Sequence, residues 1–144
     1  MKLFSYVKRI FDIIFSFLVL FSSIPVLLLI ATLVYFSSKG PIIYKCRRIG
    51  QFGKVFRLYK FRSMLVDDNA DETITTLNDK RITKVGYFLR KTKLDEFPQF
   101  LNILKGDMSI IGPRPESEKI VKRFYSANNK KEILSIKPGL TSPG

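Results

Sequence analysis

A long apolar run occupies the first part of the chain. Residues 13–38 form 26 consecutive positions without a charged side chain. A helix needs about 20 apolar residues to cross a lipid bilayer, so this run is long enough. It is too long for a cleaved signal peptide, and no small-residue cleavage site follows it. The pattern predicts a helix embedded in a membrane.

Positive charges flank this run on both sides, and a proline lies at its middle. Lys8 and Arg9 precede it, and Lys39 follows it. Because Lys and Arg mark the cytoplasmic side of a membrane segment, both ends favour the same side. Pro25 removes a helical hydrogen bond, and the hydroxyl of Ser23 can accentuate the resulting bend. We expect a re-entrant helix-break-helix, with a kinked transmembrane helix as the alternative.

The pattern then changes to one that is typical of strands. Ile43–Ile49 and Val55–Phe61 are rich in β-forming residues, and Gly50 and Gly53 lie between them, which predicts a β-hairpin. Residues 39–62 contain eight basic side chains and no acidic one. Such a ribbon can bind anionic lipid headgroups, a phosphorylated substrate or nucleic acid. The adjoining membrane segment argues against nucleic acid.

Helical spacing returns near residue 97. Apolar residues recur at helical intervals from Phe97 to Leu104, and Gly106 is expected to end the helix. Thr92 and Asp95 have the spacing of a capping box. The capping box would place Asp95 and its neighbour Glu96 at the helix N-terminus, where the helix dipole favours their ionised forms.

A short strand and a rigid loop follow this helix. Ser109–Ile111 has the composition of a short strand. In the loop after it, Pro113 and Pro115 flank Arg114 and hold its backbone extended. The loop therefore presents one guanidinium at a low entropic cost, and the alternative is a plain turn with an exposed arginine.

The amino-acid composition limits the partners and the catalytic chemistry that the protein can have. The 144 residues suffice for one compact domain, and the net charge of +13 indicates phosphates, nucleic acid or an anionic membrane surface as partners. The lone Cys46 cannot form an internal disulfide. The chain has no histidine, which excludes Ser-His and Cys-His catalysis and histidine-containing zinc sites. The acidic run Asp67–Asp79 predicts a solvated loop.

The adjacent acids Asp95 and Glu96 allow two interpretations. Acidic side chains are common in a first helical turn, where they have only a structural role. However, Arg90 and Lys93 lie nearby in sequence, and Mg²⁺ is usually held by one or two carboxylates together with substrate phosphates. A carboxylate is also a nucleophile that phosphoryl chemistry can use when no histidine is present.

These motifs together resemble a known family. The segments are "KRIFDIIFS", the proline-broken apolar run, "YKFRSM", "LRKTKLDEFPQFLNILKGDMSIIGPRP" and "KPGLTSPG". They resemble the monotopic phosphoglycosyl transferases, the bacterial sugar transferases that start glycan assembly on a polyprenyl phosphate carrier. The resemblance covers nearly the whole chain.

The resemblance implies an α/β fold in two parts. Residues 1–39 would form a re-entrant membrane hairpin. Residues 40–144 would form a small α/β catalytic domain, with a β-hairpin and short helices, on the cytoplasmic face of the bacterial inner membrane. Family members continue beyond "KPGLTSPG", so the catalytic domain is expected to be truncated at its C-terminus.

The resemblance also assigns roles to individual residues. Asp95 matches the nucleophile and Mg²⁺ ligand of the family, and Glu96 matches its partner. Ser23 and Pro25 match the helix break, although Ile24 separates them where the family commonly has Ser directly before Pro. The loop associated with the nucleotide is matched by Pro113, Arg114 and Pro115. Three further residues lie in family motifs and are interpreted from their charge as phosphate contacts: Lys60, Arg62 and Arg90.

The implied reaction has two steps. Asp95 attacks the β-phosphorus of a UDP-sugar and releases UMP, and polyprenyl phosphate then takes the sugar phosphate from the aspartate. The product would start the synthesis of a capsule, an exopolysaccharide, an O-antigen or a glycoprotein. The competing hypothesis is a catalytically impaired, truncated paralogue that acts as a membrane-anchored binder of anionic lipids or polyanions.

Overall fold

The computed structural model describes residues 2–65, 79–124 and 134–142. The fold is mixed α/β, as predicted, with one long helix, three short helices and two small sheets among the described residues. The solvated loop predicted for the acidic run lies outside the described residues, apart from Asp79.

The elements follow one another in a simple order. The described helices and strands are α1 Lys2–Ser37, β1 Ile43–Ile49, β2 Val55–Phe61, α2 Lys84–Thr92, α3 Gln99–Lys105, β3 Ser109–Ile111, α4 Glu118–Phe124 and β4 Gly139–Thr141. Strands β1 and β2 pair with each other, and β3 pairs in parallel with β4. The hairpin strands have the predicted bounds, and β3 is also confirmed.

Helix α1 is a single helical element of 36 residues. Pro25 lies inside it, so the structure does not show the predicted division into two helices at Ser23 and Pro25. Just before the proline, the hydroxyl of Ser22 donates to the carbonyl of Val19 at 3.2 Å. Of the described elements, α1 alone is long and apolar enough to cross a membrane. The re-entrant path stays a prediction.

The described residues fall into two compact units, and the boundary divides α1 between Ser22 and Ser23. The first unit contains the described parts of residues 1–22, 45–59 and 99–144, and the second contains residues 23–44 and the described parts of residues 60–98. The predicted division of the chain after residue 39 concerns the membrane and stays a prediction.

The first unit is built around the hairpin, α3 and β3. Its buried core residues are Cys46, Leu58, Phe100, Ile103 and Met108. The N-terminal half of α1 joins this unit through polar contacts as well as apolar ones. Arg9 donates to the carbonyls of Ile103 and Leu104, at the end of α3, where carbonyl groups have no partner within the helix. Gly106 ends α3 with a positive φ of 94°, as predicted.

The second unit packs the C-terminal half of α1 against α2. Its buried core residues are Ile30, Val34, Phe61 and Leu89, so α1 contributes two of the four. Burying an aliphatic or aromatic side chain of this size contributes about 1.5–3 kcal/mol each. One face of α1 is therefore part of the globular core, while its large side chains elsewhere are mostly exposed.

Candidate functional site

The two adjacent acids lie in a short turn between two helices. Helix α2 ends at Thr92, and Lys93 has the left-handed conformation, with φ of 61°, that often terminates a helix. Leu94–Glu96 then forms a single 3₁₀ turn, and α3 begins only at Gln99. The predicted capping box is therefore wrong, because Thr92 closes α2 by donating to the carbonyls of Phe88 and Leu89.

Asp95 is buried, with 7% of the residue exposed. Its Oδ1 atom has no hydrogen-bond partner within the part of the chain that the structure describes. Burial raises the pKa of Asp95, and the negative charge of Glu96 adds to this effect, while Lys60, Arg90 and Lys93 act in the opposite direction. The sequence had suggested that a helix dipole would favour the ionised form. Burial is the larger influence because it removes water from the charged carboxylate.

Glu96 points to a basic partner on the hairpin. The ammonium of Lys60, near the end of β2, lies 2.9 Å from Oε1 of Glu96. Both side chains are about one-fifth exposed, at 21% and 18%. The pair therefore brings two predicted site residues together beside Asp95, whose pKa both of them affect.

Arg90 is attached to the strand extension that follows β2. Its Nε–H donates to the hydroxyl oxygen of Ser63 at 2.8 Å, and Ser63 is itself buried. Its positive charge lowers the pKa of Asp95, against the effect of burial. Lys60, Arg90, Asp95 and Glu96 thus form one cluster, hereafter the acidic-turn site.

Arg62 has a different role from its neighbours. It is 4% exposed, and its guanidinium donates to the carbonyls of Val34, Ser38 and Pro41 and to the hydroxyl of Ser38. Four of its five N–H groups therefore stabilise the C-terminal end of α1 and the chain after it. The predicted phosphate contact at Arg62 stays a prediction, although four of the N–H groups that it could use are already bound within the protein and shielded from solvent.

The loop with two prolines belongs to the first unit. The carbonyl of Pro113 accepts from the amide of Gly139 at 2.8 Å, and the carbonyl of Glu116 accepts from Ile49 at 3.0 Å. Pro115 is buried, while the side chain of Arg114 is exposed. A small depression beside the loop is lined by Ile49, Gly50, Pro113, Arg114, Glu116, Val121, Leu134, Ile136 and Pro138. The loop is thus fixed at both ends and presents its arginine to solvent.

Two buried polar residues escaped the sequence analysis. Asn102 is fully buried, accepts from the amide of Tyr59, and donates to the carbonyl of Arg57, which ties α3 to β2. Asp12 accepts from the hydroxyl of Ser109 and the amide of Ile110. The single acid within an otherwise basic and apolar N-terminal segment was the available signal for Asp12. The sequence offered no such signal for Asn102, because a single asparagine within a helix does not indicate burial or a particular partner.

The acidic-turn site fits a magnesium ion in part. The described residues contain no group of three or more Cys, Asp or Glu side chains that could hold a metal. Mg²⁺ needs no such group when substrate phosphates complete its coordination. The buried Oδ1 of Asp95, which lacks a partner in the described chain, is the oxygen that such an ion would use.

Comparison with known proteins gives a consistent result. A family model described as "Bacterial sugar transferase" matches residues 3–144. The chain is 48% identical over 136 residues to a UDP-glucose:undecaprenyl-phosphate glucose-1-phosphate transferase from Klebsiella pneumoniae, covering 93% of this chain and 29% of that protein. It is 39% identical to an undecaprenyl-phosphate galactose phosphotransferase from Salmonella typhimurium, covering 94% of this chain and 31% of the relative.

The chain covers a larger share of a shorter relative. The exopolysaccharide production protein ExoY from Sinorhizobium fredii is 40% identical over 152 residues, which span 93% of this chain and 66% of that protein. The chain therefore spans about one-third to two-thirds of the length of these relatives.

Proposed function

We propose, since this chain belongs to the bacterial sugar transferase family, that it transfers a sugar-1-phosphate from a UDP-sugar to polyprenyl phosphate. The names of its relatives support the acceptor and the class of reaction, and they mention both glucose and galactose as the sugar. The observation that carries the proposal is the buried Asp95, with an oxygen that lacks a partner among the described residues and with basic side chains around it.

In the first step, Asp95 acts as the nucleophile. One of its carboxylate oxygens forms a bond to the β-phosphorus, and the bond from that phosphorus to the bridging oxygen breaks. UMP leaves with the electron pair, and the sugar phosphate remains on Asp95 as an acyl phosphate. An ionised carboxylate carries no proton, so this step needs no general base, which suits a chain without histidine.

In the second step, a phosphate oxygen of the lipid carrier attacks the same phosphorus. The bond to Asp95 breaks, the carboxylate is restored, and a polyprenyl diphosphosugar is formed. The nucleophile and the leaving group are both anionic oxygens, so the step also requires no proton transfer. Arg90 and Lys60 would offset the negative charge that the phosphates bring to Asp95.

We propose that Asp95, with Glu96 beside it, holds Mg²⁺ together with the substrate phosphates. Such an ion stabilises the charge that develops on phosphate oxygens during phosphoryl transfer. Burial raises the pKa of Asp95, and a bound cation would act in the opposite direction by stabilising the ionised carboxylate. Arg114, exposed on its fixed loop, is proposed to contact the nucleotide.

We propose that α1 lies in the inner membrane and that the acidic-turn site faces the cytoplasm. The apolar surface of α1 and the positive residues at both of its ends support this arrangement. A re-entrant path would keep both ends on one side. Cysteine labelling at Lys2 and Lys39 in inverted vesicles tests it, because matching accessibility is expected and opposite accessibility would refute the path.

The central test is UMP release in detergent with Mg²⁺ and a panel of UDP-sugars. Without polyprenyl phosphate, we expect at most one UMP per protein molecule and a sugar phosphate on Asp95, detected by intact-protein mass spectrometry. Asp95→Asn should show neither. If UMP appears only when the lipid is present and no adduct forms, Asp95 is not the nucleophile. If no UDP-sugar releases UMP while anionic liposomes still bind, the protein is a binder and not a transferase.

A further inference from the structure

Ser63 makes an unusual contact for a residue just outside a strand. It lies two residues after the end of β2 and is 7% exposed. Its hydroxyl oxygen accepts the Nε–H of Arg90, and its carbonyl accepts the amide of Thr83 at 3.1 Å. Ser63 thus bonds both the start of α2 and a side chain near its end.

The backbone of α2 lies directly against Ser63. A Cβ atom added to Gly86 would overlap the carbonyl group and the Cα atom of Ser63, so only glycine permits this approach. At the start of the helix, the hydroxyl of Thr83 accepts from the amide of Gly86 at 2.9 Å. Helix α2 is therefore fixed in position on the strand extension by contacts that leave little freedom.

This close approach determines where Arg90 lies. Gly86 and Arg90 are four residues apart, so they share one face of α2. The face that touches Ser63 through Gly86 therefore also carries the arginine. In the described chain, the terminal nitrogens of Arg90 make no hydrogen bond, whereas its Nε is bound to Ser63. One edge of the guanidinium is held and the other edge is available.

We propose that Ser63 is a positioning residue for Arg90, which it orients toward the phosphates of the substrate in the acidic-turn site. The bond at Nε fixes the plane of the guanidinium, and the two terminal nitrogens can then donate in parallel to a phosphate. A guanidinium held in this way loses less conformational entropy when the substrate binds. The inference rests on the proposed function, since it assigns Arg90 to the same reaction.

A double-mutant cycle tests the coupling. Ser63→Ala, Arg90→Gln and the double variant are compared for UMP release from UDP-glucose and UDP-galactose. We expect Ser63→Ala alone to lower kcat/KM roughly tenfold, and to change it by less than about twofold when Arg90 is already Gln. The positioning role is refuted if Ser63→Ala lowers kcat/KM by the same factor in the parent protein and in Arg90→Gln. It is also refuted if Ser63→Ala has no effect in the parent protein.

Two controls separate this role from a structural one. Thr92→Val removes a hydroxyl hydrogen bond from the same helix without touching Arg90, and we expect unchanged kcat/KM. Ser63→Cys nearly keeps the volume but replaces a good acceptor with a weak one. It should therefore fold like the parent protein and lose most of the activity that Ser63→Ala loses. Full activity in Ser63→Cys would contradict the proposal even if Ser63→Ala does not fold.

A spectroscopic measurement is independent of catalysis. The Nε–H of Arg90 should give a slowly exchanging ¹⁵N signal in the parent protein, and Ser63→Cys should abolish it. If the signal behaves in this way but no UDP-sugar releases UMP, the contact stands and the proposed transferase function fails. If UMP is released but the cycle shows no coupling, only the positioning role fails.

Discussion

Two buried aspartates in this protein have opposite surroundings. Asp12, in the first unit, is 3% exposed, and each of its oxygens accepts a hydrogen bond, from Ser109 at 2.8 Å and from Ile110 at 3.1 Å. Asp95, in the second unit, is 7% exposed, and its Oδ1 has no partner within the described residues. Both residues are largely shielded from water, but the structure shows protein donors only to the carboxylate of Asp12.

We interpret this difference as one between a structural carboxylate, Asp12, and a proposed functional one, Asp95. A buried polar group without a partner costs about 1–3 kcal/mol, and more when it is charged. A fold retains such a cost where the group serves another purpose, such as binding a ligand. Asp12 stabilises the fold by joining α1 to β3, whereas Asp95 is left available for a cation or a substrate. The predictions below test this contrast.

The largest effect is expected on activity. Asp95→Asn keeps the size of the side chain but removes the charge, so UMP release should fall by a factor on the order of 10³ or more, as for loss of a nucleophile elsewhere. Steady-state assays with the active UDP-sugar measure this. A variant that keeps near-normal turnover would show that Asp95 is an ordinary residue of the turn.

The next effect is on stability. Asp12→Ala removes the partner of two groups at the start of β3, so the free energy of unfolding should fall by about 2–5 kcal/mol. Urea titration in detergent micelles measures it. Asp95→Asn is the matched comparison, and in the presence of a chelator it should be as stable as the parent protein or more stable. Equal losses in the two variants would remove the distinction between these aspartates.

The third effect depends on pH. Because burial raises the pKa of Asp95, the folded protein holds the proton more tightly than the unfolded chain, and ionisation costs stability. This cost is absent below the ordinary value of 3.8, grows as the pH rises above it, and is complete above the raised pKa. Without divalent cations, the stability advantage of Asp95→Asn should therefore increase from pH 4 upward and then level off. If the stability difference between Asp95→Asn and the parent protein did not change with pH, this would contradict the claim that ionised Asp95 destabilises the fold.

The smallest effect is a shift of that pH profile. Lys60 is the strongest favourable charge on Asp95, and Glu96 is an unfavourable one. Lys60→Gln should therefore raise the pKa of Asp95, and Glu96→Gln should lower it. The acidic limb of the UMP-release profile should move to higher pH in the first variant and to lower pH in the second. If the acidic limb moved in the same direction in Lys60→Gln and Glu96→Gln, the two side chains would affect Asp95 through the local structure and not through their charges.

The sequence predicted the elements whose signals are local. The hairpin strands were placed correctly because β-forming residues and turn glycines lie next to each other in the chain. The end of α3 at Gly106 followed for the same reason. The capping box was wrong because Thr92 had two possible partners, and the carbonyls of the preceding helix were the closer ones.

The rest depended on contacts between distant residues. Arg62 was interpreted as a phosphate contact because its charge is visible in the sequence, whereas the carbonyls at the end of α1 that it binds are not. Ser63 and Asn102 drew no attention, since their partners lie 27 and 43 positions away. The burial that raises the pKa of Asp95 is likewise a property of the packed core and not of its neighbours in sequence.

The anchoring of α1 has a consequence for the time course of synthesis. Asp12 is 97 positions ahead of Ser109, whereas Arg62 is 24 positions after Ser38. At about 5–20 residues added per second, Asp12 waits roughly 5–20 s for its partner, while the other end of the helix receives Arg62 within about 1–5 s. During this interval, the newly made helix exposes a carboxyl group with no strand to receive it. If the ribosome paused after Arg62 but before Ser109, the C-terminal end of α1 would already be bound by Arg62. Asp12, near the N-terminal end, would still lack its partner.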